Sequence, residues 1–431
     1  MGEWVENRAS GPVRGLPAFL LLAAGLVAVP EPVVAQAPAQ TTAQPGVRHV
    51  GRVHDRIRAA KEREDRTLEQ EIDDGVKRVV RAKKQIADST GISYAMTVSA
   101  LGQWGTPDGG YGAIQGLFTP SVDWKLFDNR AIGSGSFQFS YNATQYWSSP
   151  NAAALQGRLN LNSPVNDYPA NAVTFAQVSY THDLPGDWLA VTIGQYPFAN
   201  FDGNAYANNQ QVNFIGYSLS QNGSQNYSLG SLGAYAQLNP TKEVTFATGF
   251  QDANNLSGTS ILFNTLGQGP YAWFAYGAWS PTVGKLGQGD YALLYYEVPG
   301  VPVQPQASSG LSFSASQPLG EHWGVFLRAN TAWNSSWYIQ SSIAGGAVYN
   351  NPLGRDPLDQ IGLGLAWNRT NQSLYAGSFA LPSETMVELY WAWTFFQRLQ
   401  VTPDLQLYFQ PALTPTQQLA AVFSLRVAVL F

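Results

Sequence analysis

Apolar and polar residues alternate with a period of two along much of this chain, most cleanly in its last forty-eight residues, 384–431. Over 387–395 the odd positions Val387, Leu389, Trp391, Trp393 and Phe395 are large and apolar, while Glu388, Tyr390, Ala392 and Thr394 between them are polar or small. Leu405, Leu407 and Phe409 alternate with Gln406, Tyr408 and Gln410, and the chain closes with Phe423, Leu425, Val427, Val429 and Phe431 interleaved with Ser424, Arg426 and Ala428. Alternation at 180° per residue predicts strands with one apolar face. A soluble sandwich would bury that face against a second sheet. A barrel in lipid turns it outward and keeps the polar face toward a wet lumen.

Shorter segments of the same kind recur upstream. Phe137, Phe139 and Tyr141 share a face, as do Leu189, Val191 and Ile193, then Trp323, Val325 and Leu327, then Ile361, Leu363, Leu365 and Trp367. Asn, Gly, Pro, Asp and Ser separate them. The 343 residues of 89–431 accommodate about 16 strands at roughly 20 residues per strand and connection, and closure leaves no ladder edge in lipid. The predicted fold is an all-β transmembrane antiparallel barrel of the bacterial outer membrane, embedded in outer-membrane lipid. Short turns are expected at 238–243 and 398–403, and outer loops at 199–211, 254–270 and 344–356. Trp147, Tyr168, Trp188, Tyr196, Tyr217, Trp337 and Tyr349 lie near predicted strand ends and read as interfacial girdles.

Composition narrows the choice in the same direction. Charged residues make up 12% of the chain and aromatics 13%, against roughly 25% charged in ordinary soluble domains. Mean hydropathy is slightly negative, as half-polar strands require. No cysteine is present, which excludes disulfides, thiolate metal sites and a cysteine nucleophile. Residues 89–431 carry 10 basic and 17 acidic side chains, so no basic patch points to nucleic acid.

The amino-terminal fifth differs. Residues 1–35 read as a secretory signal, with Arg8 and Arg14 before an apolar stretch at 16–29 and small residues Val33, Val34 and Ala35 before Gln36. Residues 36–47 read as a flexible linker. Residues 48–88 hold 12 basic and 9 acidic side chains, and apolar residues recur at spacings of three and four: Val50, Val53, Ile57, Ala60, then Leu68, Ile72, Val76 and Val79. That stripe predicts one charged helix, roughly 60 Å long, with Gly75 as a weak point and Glu64 intruding in a narrow, coiled-coil-like seam. Its expected place is the periplasm, associated with itself, the cell wall or a partner.

The carboxy-terminal third resembles the carbohydrate-selective porin (OprB) family. The resemblance is carried by Gln317-Pro318-Leu319 through Gly324-Val325-Phe326-Leu327-Arg328, by Asp359 to Gly364, and above all by Glu384, Glu388, Leu389, Pro403, Asp404, Gln406, Arg426 and Phe431. Weaker similarity runs through Gly186-Asp187 to Gly194 and Gly249 to Asn254. The family usually has a basic residue after that Gly194; here it is Gln195. The resemblance implies a 16-stranded porin that passes sugars such as glucose by diffusion, without a cofactor. A terminal aromatic at Phe431 resembles the signal by which barrel-assembly machinery recognises its clients. A homotrimer is common among porins, though nothing in the sequence requires one.

Sugars are neutral, so a selective pore needs hydrogen-bonding groups and aromatic faces at its constriction, without a dominant field of one sign. Alternation places Arg158, Arg328, Glu388 and Arg426 on polar faces, and these four, with Trp124 as a stacking platform, are the candidate substrate-binding residues. The other reading of the four charges is that they pair across the wall and stiffen the barrel. Asp404, following Pro403, reads as a structural turn residue. Hydrolytic or metal chemistry has little to draw on: the four histidines are His49 and His54 in the charged segment and His182 and His322 at strand ends. The alternatives are a general, nonselective porin and a polysaccharide-export barrel whose amino-terminal helix docks a periplasmic partner.

Overall fold

The computed structural model describes residues 50–70, 74–107, 112–302 and 306–431; the secretory-signal and linker segments at 1–35 and 36–47 lie outside them. Sixteen strands run in chain order: β1 (Ile92–Thr106), β2 (Gly112–Asn129), β3 (Gly133–Tyr146), β4 (Ala172–Asp183), β5 (Leu189–Tyr196), β6 (Ser231–Leu238), β7 (Val244–Asp252), β8 (Tyr271–Trp279), β9 (Asp290–Val298), β10 (Ser308–Leu319), β11 (Trp323–Trp333), β12 (Ile339–Asn350), β13 (Gln360–Thr370), β14 (Ser383–Phe395), β15 (Leu399–Phe409) and β16 (Leu419–Leu430). Each pairs antiparallel with its neighbours, and β16 returns to β1, so the sheet is a closed barrel. The seam runs from Thr97 opposite Leu430 to Thr106 opposite Ala421, and the backbone N–H and C=O of Phe431 both pair with Met96.

The period-two pattern sorts side chains between the two faces. Along β14, Glu384, Met386, Glu388, Tyr390, Ala392 and Thr394 are buried, while Leu389, Trp393 and Phe395 are exposed on the outer surface. Along β13, Leu363, Leu365 and Trp367 face out. The outward residues form an apolar belt suited to hydrocarbon, and the inward ones are largely Ser, Thr, Asn and Gln. Among the described residues no helix is long and apolar enough to cross a membrane.

Turns at one end are short: 130–132, 184–188, 239–243, 320–322 and 396–398. Gly91 and the carboxy terminus lie at that end too. The long connections, including 147–171, 197–230, 253–270 and 371–382, are at the other. Two expectations change here. The turn expected at 398–403 is tighter, since Leu399 already opens β15 and Phe396 and Gln397 take left-handed backbone at φ 53° and 54°, as a two-residue primed hairpin turn requires. Asp404 therefore sits inside β15. Residues 344–350 belong to β12, and the connection that follows, 351–359, is at the short-turn end. Of the expected girdle, Trp147 and Trp188 face out, whereas Tyr196 and Tyr217 are buried inside the barrel.

The charged amino-terminal segment forms two helices instead of one. Helix α1 spans Arg52–Glu69 and α2 spans Asp74–Thr90. Helix α1 ends at Gln70, which adopts extended backbone (φ −94°, ψ 156°). The helices pack on each other through an ion pair between Lys83 and Glu64, both largely shielded from solvent. Glu64, which intrudes on a coiled-coil seam, is thus the residue that joins the two helices.

Gly133 opens β3 at φ +94°, and a Cβ there would sit 1.8 Å from the Asp183 carbonyl oxygen on β4. Gly133→Ala is expected to destabilise the folded barrel by about 1–3 kcal/mol. The loss would be read as a smaller folded fraction and an earlier transition in a heat-modifiability gel. Gly157→Ala, where nothing lies within 4 Å, should leave that transition unchanged.

Candidate functional site

The barrel interior is filled from both ends. From the long-loop end, 147–171 and 197–230 fold inward. From the short-turn end, α1 enters. Each does so because the inner wall offers polar groups that need partners once water is excluded.

The 197–230 connection is held at three places by wall side chains. Arg328 on β11 donates through Nη2 to the Asp202 carbonyl at 3.1 Å. Arg426 on β16 donates through Nη1 to the carbonyls of Gln210 (2.6 Å) and Asn213 (2.7 Å), and through Nη2 to Thr402 Oγ1 at 3.1 Å. Glu388 on β14 accepts from the backbone N–H groups of Ile215 and Gly216, the latter at 2.9 Å. A Cβ on Gly216 would lie 2.7 Å from Glu388 Oε2, so only glycine lets the carboxylate approach. Asp202 is fixed in turn by Ser312, Asn222 and Tyr227 at 2.7, 2.6 and 2.9 Å. Apolar residues complete the fit: Phe198 and Phe201 pack with Tyr196, Tyr235 and Phe274, and Phe214 and Leu219 with Phe326, Met386 and Tyr390.

The 147–171 connection is anchored in the same way. Glu384 on β14 accepts from the backbone N–H groups of Asn162, Ser163 and Ala412, each at 3.0 Å. This connection carries a short helix, α3 (Ala152–Arg158), capped by Asn151, whose side chain accepts from the Ala154 N–H.

Helix α1 lies across the lumen. At its start, the Val50 N–H reaches Gln237 on β6, and the Arg52 side chain donates to Gln221 at 2.9 Å. In its first half, Arg56 donates to Ser121 on β2 and Ser140 on β3, both at 3.1 Å. Near its end, Thr67 bonds Gln397, in the β14–β15 turn, at 3.0 Å. Those attachments are about half the circumference apart. Val53, Ala60 and Thr67 are fully buried. Between α1 and the 197–230 connection lies a cavity of about 280 Å³, lined by Arg52, Arg56, Asp167, Tyr168, Gln210 and Gln211, among others.

Of the five candidate residues, the structure brings three together. Arg328, Glu388 and Arg426 all point into the barrel, at 0, 0 and 1% exposure, and each bonds the inward connection, Arg328 through Nη2, Arg426 through Nη1 and Glu388 through its carboxylate. Two fall elsewhere. Arg158 is exposed on α3 instead of on a strand: Leu155 and Leu159, four apart, are the buried pair there, so the local period is helical. Trp124 faces outward from β2 and is 44% exposed, its Nε1 donating to the Thr90 carbonyl at 3.1 Å. Its neighbours Ser121 and Asp123 take the inner face of that strand. Gln195, in the place of the family's basic residue, is buried and donates to the Phe175 carbonyl.

The cavity-lining arginines of α1 are not among the candidates because the charged helix was expected in the periplasm, associated with itself, the cell wall or a partner. A signal was present: Arg52, Arg56 and Arg63 are separated by four and seven residues, which puts them on one face.

This architecture agrees with the comparisons. The sequence profile described as carbohydrate-selective porin, OprB family, matches residues 115–431. The chain belongs to the OprB family. The porin AaxA of Chlamydia felis is 37% identical over 317 residues, covering 72% of this chain and 70% of that one. The porin AaxA of Chlamydia pneumoniae is 35% identical over 350 residues, covering 79% and 80%. Among solved structures, OprB of Pseudomonas putida at high pH superimposes with a TM-score of 0.67 at 16% identity, covering 81% of this chain and 96% of that one, a likeness of fold. This OprB-family protein is an outer-membrane porin: its short turns, Gly91 and Phe431 face the periplasm, and its long connections face outward.

Removing the charged partner leaves the buried backbone groups it served unsatisfied, at about 1–3 kcal/mol each. Arg426→Ala and Glu388→Ala are therefore expected to release the 197–230 connection while the strands persist. Limited proteolysis of the folded protein should show new cleavage within 197–230.

Asp167 supplies a pH response. Burial raises its carboxyl from 3.8 to about 6, against hydrogen bonds from Ser220 and Gln221 and the charge of Arg52, which favour the ionised form. Folding thus favours the protonated acid, so its contribution to stability is present at low pH and is lost as pH rises from about 4 to about 6. As pH falls through about 6 the cavity loses a negative charge, and the reversal potential in a salt gradient should move toward anions. Asp167→Asn should abolish that movement.

Proposed function

We propose that this porin passes small neutral carbohydrates by passive diffusion, through the space between α1 and the 197–230 connection. The observation that carries this is the cavity lining. Asn208 and Asn209 line it with half-buried amides that both donate and accept and can exchange for a sugar's hydration shell, while Gln210 and Gln211 are bonded to Gln115, Ser99 and Thr119 on the wall. Tyr168 and Tyr276 offer aromatic faces. Both signs of charge are present in nearly equal number, so neither sign dominates a path for a neutral solute. In this reading Arg328, Glu388 and Arg426 act at one remove. They hold the connection that narrows the pore. We propose also that Phe431 serves as the assembly signal; it is aromatic, faces outward and ends an alternating apolar strand.

Liposome swelling with purified refolded protein tests the main proposal. Glucose is expected to enter several-fold faster than a charged solute of similar size, with a disaccharide between them. Arg328→Ala should reduce that discrimination by loosening the constriction. Equal rates for all solutes would identify a general porin, and no swelling would refute an open conduit.

A further inference from the structure

The charged residues lining the cavity divide cleanly by origin. The barrel wall and the inward connections contribute Asp290 and Asp167. Every cation lining it comes from α1: Arg52, Arg56, Arg58 and Arg63, with Asp55 as the helix's one lining acid. The wall's own arginines are not available to a solute, since Arg328 and Arg426 are covered by the connection they anchor. Without α1, the lining would be acidic; with it, the lining carries four cations against three anions.

The partners of these arginines sharpen the point. Arg56 is held by two serine hydroxyls and Arg52 by the Gln221 side-chain carbonyl. Neutral hydrogen-bond partners position a guanidinium without neutralising it, so Arg56 projects a field into the cavity, while Arg52 offsets the charge of Asp167 across it. Arg58 bonds Asp55 on its own helix at 2.8 Å, and its side chain is 53% exposed. Besides these arginine contacts, α1 is held by buried Val53, Ala60 and Thr67, by the Val50 N–H to Gln237 and by the Thr67–Gln397 hydrogen bond, which the glutamine variants leave in place.

We infer that α1 is the charge-setting element of the pore, a helical insert whose arginines offset an acidic wall and so suppress cation permeation through a conduit built for neutral solutes. This rests on the porin reading above. Low-dielectric walls concentrate the field of such charges along the path, so few of them decide ion preference.

The test is a reversal potential measured in planar bilayers across a potassium chloride gradient. The refolded barrel is used with α1 intact, in wild-type form and as Arg52→Gln/Arg56→Gln. The double variant should shift the potassium-to-chloride permeability ratio several-fold toward potassium, whereas Arg52→Lys/Arg56→Lys should keep the wild-type ratio. Arg58→Gln, at a half-exposed side chain paired with Asp55 on its own helix, changes the cavity charge by one and should move the ratio in the same direction, by less. Arg81→Gln, on the exposed face of α2, should leave it unchanged. The shift should fade between 0.1 and 1 M salt, where the screening length falls from about 10 to about 3 Å. A folded, conducting glutamine variant with the wild-type ratio would overturn the inference and leave the porin reading intact. Absence of any conductance in the wild-type protein would overturn both.

Discussion

A buried charge must be met by a partner, and the interior of this barrel is organised by that requirement. Arg328, Arg426, Glu384 and Glu388 stand on the inner wall with almost no solvent exposure. Leaving any of them unpaired would cost several kcal/mol. They are met chiefly by backbone: the arginines by carbonyls of Asp202, Gln210 and Asn213, the glutamates by N–H groups of residues 162, 163, 215, 216 and 412. Main-chain partners fix the course of a connection without prescribing most of its side chains. Those side chains remain free to line a solute path.

The same wall resolves the opposite problem on its outer face. Leu363, Leu389, Phe423 and Trp393 are exposed here, a liability in water and an asset in hydrocarbon. Inside, two aromatic clusters gather around Phe201 and Phe214, and the stacked Phe201–Phe274 pair lies at 4.2 Å between centroids. The inward connection is therefore held by both kinds of force. Charged side chains fix its backbone at three points, and apolar burial fills the space between them. This double fixing keeps the connection rigid inside the barrel.

Helix α1 adds a second boundary to the path. It is tied to β6 at one end and to the β14–β15 turn at the other, so it crosses the lumen instead of lining one side. The family match begins at residue 115, and α1 lies ahead of it. The match begins within β2, so β1 too lies ahead of it, and the cations of the cavity come from α1.

The barrel was legible in the sequence because lipid and lumen impose opposite demands on successive residues, and period two in β13, β14 and β16 records them directly. Strand number followed from length, and Arg328, Glu388 and Arg426 were placed on the inner face by counting alternate positions. Height and partner were not legible. Alternation says which way a side chain points and nothing about which distant connection will meet it, so these three read as pore-lining charges when each in fact bonds the 197–230 connection. Arg158 and Trp124 were misplaced where a local rule gave way, to a capped helical turn in one case and to the opposite face of β2 in the other. The arginine face of α1 was present in the spacing of residues 52, 56 and 63, yet a charged amphipathic helix looks the same whether it meets water or a polar lumen. Only the closed barrel, by offering Ser121, Ser140, Gln237 and Gln397 at the right distances, decided that it lies inside.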